Sequence, residues 1–93
     1  MIKILYFSGT HCIVCKALKP KLIETISRTY PEIKINSIDV VSSPEVAAQH
    51  LVFTVPVLLI IVEGKEQYRF ARSFSVMEVI DKLDRINSLY ENY

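Results

Sequence analysis

The stretch IKILYFSGTHCIVCKALKP, residues 2–20, sets the pattern from which the rest of the chain can be read. Ile2 to Phe7 is β-rich and almost continuously apolar, as befits a central strand covered on both faces. Ser8-Gly9-Thr10 breaks that run, and Cys12-Ile13-Val14-Cys15 opens a segment of helical period. If the helix begins near Cys12, both thiols share a face of its first turn. Cys12 then lies beside backbone N–H groups that have no partner inside the helix, at the positive end of its dipole. That field favours thiolate over thiol. A nucleophilic thiolate with a second thiol in reach is what reversible disulfide exchange requires.

Downstream of the pair, Cys15, Leu18, Leu22 and Ile26 recur at helical spacing, and Ala17 and Ile23 are expected to widen this stripe. Pro20 falls inside the pattern, where its missing donor and its ring should kink the helix. Ile33 to Val40 reads as a second strand. A strand-helix-strand unit of this length implies a right-handed crossover and a parallel pair. Ser42 and Glu45 are spaced as a capping box for a short helix through Leu51, with Pro44 in its first turn. Val57 to Val62 is a buried strand, Glu63-Gly64-Lys65 a turn, and Gln67 to Arg72 an edge strand closing an antiparallel hairpin. Ser75 and Glu78 form a second box, ahead of an amphipathic helix through Val76, Val79, Ile80, Leu83 and Ile86 to about Tyr90. The predicted order is β-α-β-α-β-β-α, an α/β domain spanning residues 1–93.

Composition narrows the function classes. A chain of 93 residues that is 51% hydrophobic is long and apolar enough for one core. Its net charge of +1 comes with scattered basic residues, which gives no footprint for nucleic acid or an anionic membrane. The longest apolar run, Val55 to Val62, is too short to span a bilayer. Met1-Ile2-Lys3 leads straight into a strand, so no signal peptide is expected. The chain has 2 cysteines, and with none left for a structural bridge the expected location is a reducing cytoplasm. Zinc is poorly served, since Cys12, Cys15 and His11 offer at most three ligands where a structural site takes four; no metal is expected.

Taken together, these features resemble the thioredoxin-fold family over nearly the whole chain. The likeness rests on Cys12-Ile13-Val14-Cys15 after the first strand, on Lys16 with Pro20 behind it, on Thr54-Val55-Pro56 ahead of a strand, and on the closing hairpin and helix. It implies the minimal form of that fold, a four-stranded mixed sheet flanked by helices. It implies a thiol-disulfide oxidoreductase that reduces disulfides in proteins or small molecules. The redox group would be the Cys12/Cys15 pair itself, with no other cofactor, supplied with electrons by a reductase or by glutathione. The family's proline before this strand is cis and faces the cysteines; Pro56 matches it, and only proline makes such a bond cheap.

The chain also departs from the family. His11 stands where thioredoxins commonly carry Trp, and Ile13-Val14 where they carry Gly-Pro. Tyr6 takes the place of a buried acid six residues before the first cysteine, and Arg72 that of a glycine late in the last strand. A glutaredoxin-like enzyme using glutathione is the alternative, favoured by small size and Thr54-Val55-Pro56. Against it, Arg72-Ser73-Phe74 replaces the Gly-Gly pair expected before the last helix. A redox-inactive interaction module of the same fold is the third reading.

Cys12, nearest the helix start and the open loop, is assigned as nucleophile, and Cys15, one turn deeper, as the resolving thiol. Val55 and Pro56 form a substrate platform, the Val55 backbone pairing with an extended substrate as an added strand. Ile13 and Phe74 are candidate apolar rim contacts, Phe74 being equally assignable to the core. His11 is a candidate modulator of the Cys12 thiol or a solvated loop residue. Tyr6 is read first as a core aromatic whose hydroxyl is satisfied elsewhere, and second as a modulator bonded near Cys15.

Overall fold

The computed structural model describes residues 1–91, and side chains through Leu89. The elements are β1 (Ile2–Ser8), α1 (Ile13–Thr29), β2 (Lys34–Asp39), α2 (Pro44–Gln49), β3 (Val57–Val62), β4 (Lys65–Ala71) and α3 (Val76–Glu91). They form one four-stranded sheet in the order β2-β1-β3-β4. β1 pairs parallel with β2 and antiparallel with β3, and β3 pairs antiparallel with β4, so the sheet is mixed.

The two-residue period of β1 and β3 divides the core. Ile4, Tyr6, Leu58, Ile60 and Val62 face one side, where they meet Leu22 and Ile26 of α1 and Val79, Leu83 and Ile86 of α3. Leu5, Phe7, Val57, Leu59 and Ile61 face the other, against Ala47 of α2 and Val52. Every residue of β3 is buried, which explains why that segment reads as an unbroken apolar run.

Three local expectations need correction. Ala17 is exposed and Ile23 is 39% exposed, so neither belongs to the buried stripe of α1. At about 100° per residue Ala17 points away from Cys15 and Ile23 sits at the stripe's edge. Ser42 and Glu45 form no capping box: Ser43 is the N-cap of α2 and makes no side-chain capping bond. Instead the Asp39 carboxylate accepts the backbone N–H groups of Val41 (2.8 Å) and Ser42 (3.3 Å). β4 begins at Lys65, because Glu63 (φ 51°) and Gly64 (φ 81°) alone make the hairpin turn. Positive φ at both central residues matches the twist of the flanking strands, and glycine takes the second at no steric cost.

The second capping box is present. Ser75 N–H donates to Glu78 Oε2 (2.6 Å) and Glu78 N–H donates to Ser75 Oγ (3.2 Å). Ser75→Ala should therefore cost about 1 kcal/mol, and Ser42→Ala less than about 0.5 kcal/mol. Urea denaturation checks the contrast; equal losses would contradict it.

Candidate active site

The site is built where β1 ends and α1 begins. Cys12 is the N-cap of α1, with an extended backbone (φ −86°, ψ 102°). Its N–H donates to Gly9 O at 3.2 Å, and its Sγ accepts the Cys15 backbone N–H at 3.1 Å. The sulfur thus occupies the position of a capping oxygen, facing N–H groups that the helix cannot satisfy. Cys15 lies one turn inside and is 1% exposed, whereas Cys12 is half-buried. The two sulfurs are bonded in a disulfide across a separation of 3 residues.

Beneath the pair, Tyr6 is buried and its hydroxyl donates to Cys15 O at 2.9 Å. The expectation that this hydroxyl is satisfied away from the cysteines is corrected: its partner is the cysteine helix turn itself. Both the ring and the polar end of Tyr6 are thereby satisfied inside the core. Burial raises the Tyr6 pKa above the ordinary 10.0, so the phenol stays a donor at neutral pH.

The second wall is the segment before β3. Val55-Pro56 is a cis peptide bond, and Pro56 is buried. A methyl group added at Gly9 would stand 3.5 Å from Val55 Cγ2, which sets this segment against the loop leading to Cys12. Cys12, Val55 and Phe74 all pack against the core cluster that contains Cys15. Phe74 is half-buried and tilted against Phe70 at 5.6 Å, so it is part core and part rim. Ile13 and Val14 are 83% and 56% exposed, leaving an apolar edge beside the sulfurs. His11 is exposed.

Two supporting residues have no signal in the sequence. Asp39 ties the β2 end to the site loop, accepting Thr10 Oγ1 at 3.2 Å besides its two backbone donors. The Val41 N–H, then that of Ser42, holds its pKa below the ordinary carboxylate value. Asp39 also lines a cleft of about 250 Å³ together with Gly9, Thr10, Cys15, Lys16 and Lys19. Arg69 of β4 donates to His50 O (2.6 Å) and Leu51 O (3.1 Å), capping the carbonyl end of α2 where the chain turns toward Pro56. These bonds span 29, 19 and 18 residues, beyond any local pattern.

The arrangement suits two-electron exchange between a dithiol and a disulfide. One sulfur lies at an open helix end, a second is shielded within bonding distance, and the apolar Ile13 and Val14 lie on one side of them. A family model described as Thioredoxin matches residues 2–85. The chain is 39% identical over 87 residues to the thioredoxin-like protein YdfQ of Bacillus subtilis, covering 94% of this chain and 77% of that one. Among solved structures it is similar to thioredoxin 1 of Thermosipho africanus, with TM-score 0.87 and 45% identity over 96% of this chain and 98% of that one. Fasciola hepatica thioredoxin superposes with TM-score 0.80 at 26% identity, over 90% of this chain and 79% of that one.

Proposed function

Because the chain belongs to the thioredoxin family and is a thiol-disulfide oxidoreductase, we propose that it is a cytoplasmic disulfide reductant in which Cys12 attacks and Cys15 resolves. The observation that carries this reading is the Cys15 N–H directed at Cys12 Sγ. In the reduced protein the same N–H and the helix end stabilise a Cys12 thiolate. That thiolate attacks one sulfur of the substrate disulfide, forming a mixed disulfide and releasing the first substrate thiolate. The Cys15 thiolate then attacks Cys12 Sγ. The mixed bond breaks, the second substrate thiolate leaves, and Cys12 and Cys15 are oxidised by two electrons as the substrate is reduced by two.

Val55 and Pro56 border the path by which an extended substrate reaches Cys12, and Ile13 and Phe74 give it apolar contact. His11 is the one ionisable side chain adjacent in sequence to Cys12. The electron donor is a thioredoxin reductase in preference to glutathione, since Arg72-Ser73-Phe74 lacks the paired glycines of glutathione users.

The expected alkylation order tests the roles. In the reduced, folded protein iodoacetamide should label Cys12 well before Cys15. Mass spectrometry of the quenched protein reads the order. A faster Cys15 would reverse the assignment.

A further inference from the structure

Arg72 has a left-handed backbone, φ 66°, where an unbranched glycine would be unstrained. Its N–H donates to Pro56 O at 2.9 Å, which fixes the residue against the segment that walls the cysteine site. Its side chain is exposed, and none of the ion pairs or side-chain hydrogen bonds among the described residues includes it. A bulky cation held in a costly conformation, tied to the segment that walls the cysteine site and unpaired among the described residues, calls for a reason outside the folded chain.

Among the described residues, Asp39 is the one carboxylate in the cleft beside Cys15. The segments that meet at the site, residues 8–23, 50–62 and 67–77, contain no Asp or Glu. They carry Lys16, Lys19, Lys21 and Arg72, besides Arg69, whose charge is paired with Glu66. Of the nearby carboxylates, Glu66 is paired with Arg69, while Asp39 keeps its negative charge in the cleft beside Cys15. In the cleft beside Cys15, Lys16 and Lys19 face the single carboxylate of Asp39, so that rim is net positive.

We propose that Arg72 is a specificity residue that selects disulfide substrates bearing carboxylate side chains next to the half-cystine. This rests on the reductase reading above. A substrate strand laid along Val55 brings its flanking side chains to the Arg72 loop. There a guanidinium can hold a carboxylate through two parallel bonds. Attraction toward a cationic rim also speeds encounter, an effect that salt suppresses.

The test is a single-turnover reaction of the pre-reduced full chain with two disulfide-linked peptide dimers. One carries glutamate on both sides of its cysteine, and the other glutamine. Thiol release gives a second-order rate constant for each. For the wild type at low ionic strength the acidic peptide should react roughly tenfold faster, the ratio falling toward one at high salt. Arg72→Gly should bring the ratio to within about twofold, and Arg72→Lys, which keeps the charge but loses the paired bonds, should give an intermediate ratio. A purely structural role for Arg72 would scale both rates together and leave the ratio unchanged. An unaltered ratio in Arg72→Gly, or equal wild-type rates, overturns the assignment while leaving the reductase reading intact. Failure to reduce either peptide overturns both.

Discussion

Cys12→Ser is expected to lower insulin-disulfide reduction, driven by NADPH and a thioredoxin reductase, by more than about a thousandfold. A serine hydroxyl at the same helix end is not ionised at neutral pH and forms no bond that a second thiol can break, so both halves of the exchange are lost. Cys15→Ser should stop turnover as completely but by another route. The first attack by Cys12 remains possible, and the mixed disulfide that results has no partner to resolve it. Non-reducing electrophoresis and intact mass should therefore show substrate attached to Cys15→Ser and none attached to Cys12→Ser. Trapping by the wrong variant would exchange the roles. Wild-type turnover that needs glutathione and ignores the reductase would replace the donor assignment and leave the cysteine chemistry in place.

The largest stability change is expected beneath the site. Tyr6 fills the core between β1 and α1 and donates to Cys15 O at 2.9 Å. Tyr6→Ala removes a buried ring and should cost about 3–5 kcal/mol. In a domain of this size that lowers the midpoint of thermal unfolding by more than about 12 °C. Tyr6→Phe keeps the ring and removes only the donor, for a loss of about 1 kcal/mol.

The pH dependence follows from the direction of the tyrosine shift. Burial raises the Tyr6 pKa in the folded protein above the ordinary 10.0. A raised folded pKa gives stability that is complete below the unfolded value and is lost as pH rises through the folded one. The advantage of wild type over Tyr6→Phe should hold constant across neutral pH and shrink in solutions more alkaline than about pH 10. Urea titrations at several pH values read this directly. A Tyr6→Phe protein as stable as wild type at neutral pH would remove the hydroxyl from the account.

What was legible in the sequence is what repeats locally. Alternation in β1 and β3 sorts Ile4 and Tyr6 from Leu5 and Phe7 by position in the chain alone, because successive strand side chains face opposite ways. The Ser75/Glu78 box, the Glu63-Gly64 turn and the helical spacing of Cys15, Leu22 and Ile26 depend on neighbours a few residues away. The cysteine spacing belongs to the same class, since one helical turn brings the two thiols together. The Ser42/Glu45 spacing fails as a cap for an instructive reason. The Asp39 carboxylate already accepts the Ser42 N–H, and Pro44 starts the helix one residue later.

Tertiary structure alone decided the rest. Where the Tyr6 hydroxyl goes, that Arg69 caps α2 and that Asp39 holds the loop before Cys12 all depend on groups brought together by sheet order and helix packing. The separations are 9, 19 and 29 residues for the three hydrogen bonds. Sequence patterns carry the short periods of helix and strand. A buried polar atom must instead find its partner in whatever the folded chain places beside it, and that choice is made only when the core closes.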